Sequence, residues 1–196
     1  MRRSAQVKRQ TNETDIVADL TIDGKGESVI NSGNGFFDHM LTLFSKHGLF
    51  DLKISCSGDT HIDFHHSAED IGICLGKAFK DALEDCKGIK RYGTSYVPMD
   101  ESLVRVVLDI SGRQNLVYNV AVQDRTIGNF ECDLVEDFLK SFTDHSRSTL
   151  HVDLIRGRNN HHSIEAVFKA FGKALSEACS INEKASEDIP TTKGVL

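Results

Sequence analysis

Two adjacent histidine pairs, each followed by a glutamate, are the residues of this chain whose spacing points most directly to chemistry. They lie in HHSAED, which begins at His65, and in HHSIEA, which begins at His161. Four of the nine histidines are used in these pairs. Neutral imidazole is the form of histidine that binds metal. The repeated HHxxE pattern therefore predicts metal binding.

The spacing within each pattern indicates more than one ion. Adjacent residues of a helix point about 100° apart, so His65 and His66 cannot easily bind the same metal. Each of them can pair with Glu69, which lies about one helical turn further on. His162 and Glu165 repeat this arrangement in the second stretch. We predict two metal sites, each with ligands from both halves of the chain or from neighbouring subunits.

Further ligands are needed to complete two sites, and two other histidines are candidates. In LHVDLI, the apolar residues alternate with His151, which leaves this imidazole on the polar face of a predicted strand. In the predicted helix over 36–48, the apolar residues form one stripe and leave His39 outside it. Both residues are therefore free to coordinate.

The chain carries an internal repeat. The offset that separates the two histidine pairs also carries the tripeptide GKA at 76–78 onto GKA at 172–174, and Asp63 onto Asn159. Asp63 and Asn159 are residue types that cap helix starts, so both histidine pairs are predicted to lie in a first helical turn. We interpret the chain as one domain made of two related halves, about 1–92 and 93–196.

The predicted elements agree with two halves that mix strands and helices. Periodicity predicts strands over 15–22, 50–58, 103–110, 115–122 and 149–155, and helices over 36–48, 65–86, 131–145 and 161–179. The helix over 36–48 is expected to end on a glycine cap at Gly48. Each half then pairs strands with two helices, which predicts an α+β fold.

The composition narrows the possible partners and location. The formal net charge is -6 without a concentrated basic stripe, so we expect no nucleic-acid partner. The sequence has neither a secretory signal nor a long apolar run, so we expect no membrane span. The five cysteines are scattered without a CxxC spacing, which favours a reducing, cytoplasmic location.

Several stretches resemble the imidazoleglycerol-phosphate dehydratase family of histidine biosynthesis. They are GFFDHML, HIDFHHSAED, KGIKRYG, DISGR, FLKSF, TLHVDLIRGRNNHHSIEAVFKAFGKAL and the terminal TTKGVL. The resemblance covers nearly the whole chain, from about Lys8 to Leu196. It implies duplicated α+β half-domains, each a mixed β-sheet packed with two α-helices, of the ribosomal protein S5 domain 2-like type. It also implies a homo-oligomeric shell of twenty-four subunits.

The resemblance further implies a site with two Mn²⁺ ions, formed between subunits. Carried over, the ligands of one ion would be His65, His151, His161 and Glu165. Those of the other ion would be His39, His66, Glu69 and His162. This division separates the two members of each histidine pair, as their helical geometry requires.

The implied substrate carries a phosphate, and its binding residues fall on Arg91, Arg113, Thr191 and Lys193. Arginine offers a planar fork to a phosphate, and lysine a point charge. The family's usual SSKG is TTKG here, and a threonine hydroxyl can still donate to a phosphate. Phe64 stands where relatives often have a small or acidic residue, which should affect local packing.

The implied reaction is the dehydration of D-erythro-imidazole glycerol phosphate to imidazole acetol phosphate in L-histidine biosynthesis, catalysed by a lyase. The two ions would ease deprotonation of the imidazole ring, so that an imidazolate and then a diazafulvene intermediate form. Glu13, which matches a family glutamate near the substrate, is the first candidate for proton transfer and substrate contact. Glu69 and Glu165 are the alternatives.

Two other functions would use similar residues. A dinuclear metallohydrolase would use the same ligands to activate water, and it would release phosphate from its substrate. A metal store without catalysis would keep the histidines but would not need Arg91, Arg113 and Lys193 together.

Overall fold

The strands and helices follow an order that occurs twice along the chain in the computed structural model, which describes residues 3–194. The first half contains β1 (Ser4–Gln10), β2 (Thr14–Thr21), β3 (Ser28–Asn31), α1 (Gly35–Gly48), β4 (Asp51–Gly58) and α2 (His65–Leu83). The second half contains β5 (Tyr92–Met99), β6 (Ser102–Asp109), β7 (Asn115–Asn119), β8 (Thr126–Ile127), β9 (Phe130–Glu131), α3 (Leu134–Ser146), β10 (Thr149–Arg156) and α4 (Asn160–Cys179). The last two residues of the TTKGVL stretch lie outside the described residues.

Each half builds a four-stranded mixed sheet with the same connectivity. The strand orders are β1-β2-β4-β3 and β5-β6-β10-β7, and β8 and β9 form a separate small sheet. In each half the first two strands form an antiparallel hairpin, with Ser4 opposite Thr21 and Tyr92 opposite Asp109. In each half the third strand pairs in parallel with the last. The predicted α+β fold of two related half-domains is confirmed.

Within the two four-stranded sheets, three strands were not predicted from the sequence: β1, β3 and β5. Along β1 the residues alternate between exposed and half-buried positions, and none is fully buried. The apolar alternation that marks β2 and β6, in which every second residue is buried, is therefore weak in β1. These three strands lie at the edges of the two sheets, where one side has no neighbouring strand.

The four helices form one layer that both sheets share. Helix α2 packs on β1 and β2 and against α3, whereas α4 packs on β5 and β6 and against α1. Each helix pair thus joins one half of the chain to the other. Phe44, Phe79, Phe142 and Phe171, one from each helix, are in ring contact and buried. The starts of α2 and α4, which carry the histidine pairs, are therefore fixed to one common core.

The repeated glycines lie where two helices touch. A Cβ at Gly76 of α2 would lie 2.5 Å from the backbone oxygen of Phe142 in α3. A Cβ at Gly172 of α4 would lie 2.5 Å from the backbone oxygen of Phe44 in α1. Both distances are too short for any side chain, so close helix packing explains why both GKA tripeptides begin with glycine.

The ends of α1 and α2 differ from the prediction. Helix α1 ends on Leu49, which adopts the left-handed conformation with φ 58°, and Gly48 is the last helical residue. Gly48 is needed because a Cβ there would clash with the Phe50 ring. Helix α2 ends at Leu83, and its N-cap residue is Phe64, whose buried ring makes an edge contact with Phe37.

The region before α3 was predicted wrongly as helix from residue 131 onward. Instead, β8 and β9 form a short hairpin, and α3 begins at Leu134. Phe130 of this hairpin is fully buried against the rings of Phe36, Phe37 and Phe64. Burial of one aromatic ring by distant residues is a tertiary effect that local periodicity does not encode.

Among residues 3–194, no helix combines the length and apolarity that crossing a membrane requires.

Candidate functional site

The second histidine pair lies in the first turn of α4, where side chains hold the backbone. Asn159 is the N-cap residue, and its side-chain oxygen accepts a hydrogen bond from the backbone N–H of His162, at 3.3 Å. The buried side chain of Asn160 donates to the backbone oxygen of Asp124, at 2.9 Å. These bonds cap α4, attach its start to the loop between β7 and β8, and fix the direction in which the two histidines leave the helix.

Three potential metal ligands meet beside this turn: His39 of α1, and His161 and Glu165 of α4. Glu165 Oε2 lies 3.2 Å from His161 Nε2 and 3.5 Å from His39 Nε2. The ligand atoms of all three residues lie within 4.8 Å of one another, and among residues 3–194 no other group of three meets this condition. Two imidazole nitrogens and a carboxylate oxygen form a donor set that suits manganese, iron or zinc.

Glu165 is held as an anion in this group. Glu165 is only 6% exposed, and Nζ of Lys169 lies 2.5 Å from Glu165 Oε1. Burial acts to raise the pKa of Glu165, but the hydrogen bond and positive charge of Lys169 and the nearby His39 outweigh it and lower the pKa. One carboxylate oxygen is thus bound to the ammonium group, and the other faces the two histidines.

The second histidine of each pair has a carboxylate at its Nδ1 atom. His66 Nδ1 lies 3.0 Å from Asp59 Oδ2, and His162 Nδ1 lies 2.8 Å from Glu101 Oε2. The hydrogen bond to Asp59 raises the pKa of His66, and the one to Glu101 raises the pKa of His162. The bond to His162, with the backbone N–H of Asn159, lowers the pKa of Glu101 to about 2.

The first histidine pair lies in the first turn of α2, in more open surroundings. Asp63 is not the N-cap residue as predicted, but its Oδ1 accepts a hydrogen bond from the backbone N–H of His65, at 2.8 Å. His65 Nδ1 lies 3.4 Å from Asp137 Oδ2, and its Nε2 lies 3.9 Å from Glu69 Oε2. The Glu69 side chain is 46% exposed, so these groups face solvent around a single chain.

Glu13 lies in the turn between β1 and β2, next to the first histidine pair. The hydroxyl of Thr11 accepts from the backbone N–H groups of Glu13 and Thr14, at 3.1 and 3.0 Å. The backbone oxygen of Glu13 accepts from the N–H of Asp59, at 3.1 Å. With the turn held in this way, Glu13 Oε1 lies 3.8 Å from His66 Nε2, and its side chain is 54% exposed.

The predicted phosphate-binding residues line one pocket of about 450 Å³. Arg91 donates from Nε and Nη2 to the Asp109 carboxylate, at 2.7 and 3.1 Å, and from Nη1 to the backbone oxygen of Pro190, at 2.9 Å. It adopts a left-handed φ of 73°, which costs energy for a residue other than glycine. These three bonds hold the guanidinium rigidly at the pocket wall.

The remaining cations of the pocket are exposed. Arg113 and Lys193 line it together with Arg91, and in the described part of the chain neither side chain has an ion-pair partner. Thr191 Oγ1 accepts from the backbone N–H of Lys193, at 3.1 Å, which shapes the terminal turn. The pocket therefore presents free positive charge, as an anion requires.

Within one chain this pocket and the ligand group lie at opposite ends of the β5–β6 hairpin. Arg91 directly precedes β5, whereas Glu101, the partner of His162, lies in the turn after it. Eight residues of extended strand span roughly 25 Å. His151 is exposed on β10, opposite Val107 of β6, and so lies towards the pocket end of the same sheet.

The structure of one chain joins only part of the first expected ligand set, that of His65, His151, His161 and Glu165. His161 and Glu165, which were expected on the same ion, lie together. His39 lies in this same group, although the resemblance assigns it to the other ion. His65 and His151 are not part of the group.

A sequence model of the imidazoleglycerol-phosphate dehydratases matches residues 32–175, about three-quarters of the chain. The chain belongs to this family. Membership makes it a dehydratase, a hydro-lyase of histidine biosynthesis. The group of His39, His161 and Glu165 lies entirely within the matched residues.

Individual members of the family are similar to this chain over almost its whole length. The protein of Thermoanaerobacter sp. (strain X514) is 57% identical over 194 residues, which cover 99% of this chain and 100% of the relative. The crystal structure from Staphylococcus aureus subsp. aureus N315 has a TM-score of 0.83 and 43% identity, covering 91% of this chain and 99% of that one. The structure from Pyrococcus furiosus has a TM-score of 0.83 and 34% identity, covering 97% and 100%.

Several partners of the candidate site residues were missed in the sequence. Lys169, Asp59, Glu101 and Asp137 were not assigned to the site, although each contacts a candidate ligand. For Glu101 a signal exists, because it directly precedes β6 as Glu13 directly precedes β2. Asp59 and Asp137 have no such signal, since their contacts arise only when separate elements pack together.

Proposed function

We propose that the chain converts D-erythro-imidazole glycerol phosphate to imidazole acetol phosphate, with two Mn²⁺ ions in each active site. The observation that carries this proposal is the group of His39, His161 and Glu165 in a chain of the imidazoleglycerol-phosphate dehydratase family. Five free cysteines agree with a reducing, cytoplasmic location.

The group of His39, His161 and Glu165 supplies the nitrogen and carboxylate donors that divalent transition metals take, and in the proposal its members are divided between two ions. We propose His65, His151, His161 and Glu165 for one ion, and His39, His66, Glu69 and His162 for the other. When bound, the ions would act as Lewis acids and as a template for the imidazole ring. The imidazolate and diazafulvene intermediates that the resemblance implies remain predictions.

Glu13 is the residue that we propose for proton transfer. Its carboxylate lies 3.8 Å from His66 Nε2, too far for a strong hydrogen bond, and among the described residues no lysine or arginine forms an ion pair with it. A carboxylate that is free to move a proton must keep an accessible lone pair. Glu165 is bound to Lys169, which makes it a poorer candidate, and Glu69 is proposed as a metal ligand.

The pocket of Arg91 and Arg113 is proposed as the phosphate site, with Thr191 and Lys193. Because Asp109 and the backbone of Pro190 already orient the Arg91 guanidinium, little side-chain entropy is lost when an anion binds. Arg113 and Lys193 bring positive charge that no residue within 3–194 neutralises. Thr191 adds a hydroxyl donor.

We propose that active sites form between the subunits of a homo-oligomer. The resemblance implies that this oligomer has twenty-four subunits. The support is the separation of roughly 25 Å between the phosphate pocket and the ligand group of one chain. The substrate is one imidazole ring, a three-carbon chain and a phosphate, which is much shorter than this separation. A pocket from one subunit must then meet ligands from another.

The proposed activity is tested by incubating the purified protein with imidazole glycerol phosphate after removal of metal. We expect the keto product to form when Mn²⁺ is restored and to disappear with chelator. Release of inorganic phosphate instead of the keto product would identify a metallohydrolase. Binding of Mn²⁺ without any product would indicate a metal store.

Shared sites are tested by mixing two inactive variants, His39→Ala and Arg113→Ala, under conditions in which subunits exchange. Some sites of the mixed oligomer then receive an intact ligand group from one variant and an intact phosphate pocket from the other. We expect activity to return in the mixture. Mixed oligomers that stay inactive would contradict sites shared in this way.

A further inference from the structure

His66 and His162 occupy equivalent positions in the two repeats, and each has a carboxylate oxygen within hydrogen-bond distance of Nδ1. The distances are 3.0 Å from His66 to Asp59 Oδ2 and 2.8 Å from His162 to Glu101 Oε2. An ionised carboxylate only accepts hydrogen bonds, so Nδ1 must carry the proton. Nε2 of a neutral ring then keeps its lone pair.

We propose that Asp59 and Glu101 are positioning residues, which fix the tautomer and orientation of His66 and His162 so that each Nε2 is available to a metal ion. The inference rests on the proposed function, in which both histidines are metal ligands. Metal-bound histidines commonly donate their other N–H group to a carboxylate, and loss of this partner weakens metal binding.

The two carboxylates come from different places in the fold. Asp59 directly follows β4, whereas Glu101 lies in the turn that directly precedes β6. The turn equivalent to that of Glu101 carries Glu13, whose carboxylate is nearest to the other nitrogen of His66, at 3.8 Å. Duplication of the chain therefore does not by itself account for both contacts. Each half supplies a carboxylate to the Nδ1 atom of its histidine, but from a different structural element.

Both carboxylate oxygens of Glu101 are occupied. Oε1 accepts from the backbone N–H groups of Asn159 and Arg158, at 2.7 and 3.3 Å, and Oε2 faces His162. In Glu101→Gln only one oxygen remains. The two backbone donors hold that oxygen, so the new NH₂ group faces His162 Nδ1 and moves the ring proton to Nε2.

Asp59 offers a contrast, because only one of its oxygens is occupied. Oδ2 faces His66, while Oδ1 is buried without a hydrogen-bond partner in the described structure. In Asp59→Asn the NH₂ group can take the Oδ1 position, and the amide oxygen stays on His66. Two substitutions of the same chemistry should thus differ in effect, the first disturbing the tautomer and the second preserving it.

The experiment measures Mn²⁺ binding to the metal-free full-length protein by calorimetry, and thermal unfolding in chelator. We expect Glu101→Gln to weaken binding at the affected site about 10- to 100-fold with near-normal unfolding, since the backbone contacts remain. Asp59→Asn should leave binding close to that of the wild type, and Asp59→Ala should weaken it. Asp23→Asn is the matched control, because its carboxylate pairs with Arg3 and faces no histidine.

Wild-type Mn²⁺ affinity in both Glu101→Gln and Asp59→Ala would overturn the inference. Equal losses in Glu101→Gln and Asp59→Asn would also overturn it, since charge rather than tautomer would then matter. The ¹⁵N chemical shifts of His162 report the tautomer directly in the metal-free protein. Absence of Mn²⁺ binding in the wild type would instead refute the proposed metal sites, so the two failures are distinguishable.

Discussion

The starts of α2 and α4 carry the same HHxxE motif but differ in how much of a metal site one chain assembles around them. At α4, Glu165 is buried, contacts two histidines and is paired with Lys169. At α2, Glu69 is about half exposed, and Ile73 stands where α4 has Lys169. The nearest imidazole nitrogen to Glu69 is that of His65, at 3.9 Å.

The difference shows that a duplicated motif need not give a duplicated site. The fold gives α1 and α3 equivalent positions, but His39 of α1 adds an imidazole beside α4, whereas Asp137 of α3 adds a carboxylate beside α2. One start is therefore preorganised within the chain. The other leaves its proposed ligands exposed to solvent.

The largest expected effect concerns the turn next to α2. Glu13→Gln should lower kcat about 10²- to 10⁴-fold, because it removes the group proposed for proton transfer. Its Mn²⁺ content and assembly should be unchanged, since Glu13 is exposed and is not one of the proposed metal ligands. Product formation, metal analysis and sedimentation measure the three quantities, with Glu183→Gln as an exposed control. Unchanged turnover would remove Glu13 from the mechanism.

The next effect concerns the buried ion pair that only α4 has. Lys169→Met should lower the free energy of unfolding of the metal-free protein by about 3 to 5 kcal/mol, because Glu165 is left buried without its partner. Added Mn²⁺ should recover part of this loss. Urea unfolding in chelator measures it, and Ile73→Met, at the equivalent position of α2, should change little. Equal losses in both variants would contradict the comparison.

A smaller effect is expected for His66, a proposed metal ligand at the start of α2. His66→Ala should reduce bound Mn²⁺ by at least about tenfold and weaken the assembly at the same time, because its metal is proposed to bridge subunits. Metal analysis and sedimentation velocity measure both. His145→Ala is the control, since in the part of the chain that the structure describes His145 hydrogen-bonds only to the backbone oxygen of Ser141. Full metal occupancy in His66→Ala would argue against a shared site.

The smallest effect tests whether helix packing, unlike the site, is the same in both halves. Gly76→Ala and Gly172→Ala should each cost about 1 to 3 kcal/mol, since both force a methyl group against a backbone oxygen. Gly35→Ala should cost less, because its Cβ would meet no atom within 4 Å. A large difference between Gly76→Ala and Gly172→Ala in urea unfolding would show that the two helix contacts are not equivalent.

Much of the fold follows from the sequence because it depends on local patterns. The buried stripes of α2 and α4 follow helical periodicity, and the strands with full apolar alternation are found where they were predicted. The edge strands and the β8–β9 hairpin were missed. Their stability comes from pairing with a neighbour and from the burial of Phe130, and neither leaves a periodic signal.

The sequence by itself determined the internal repeat and the residue types that could bind metal. It also determined that the two histidines of each pair point in different directions, since this depends on spacing along a helix. Only the tertiary structure decided which carboxylates face which histidines, that Glu165 is buried beside Lys169, and that the pocket of Arg91 and Arg113 lies a strand's length from His161 and Glu165. Such contacts join residues far apart in the chain, and side-chain distances between them arise only when helices and sheets pack.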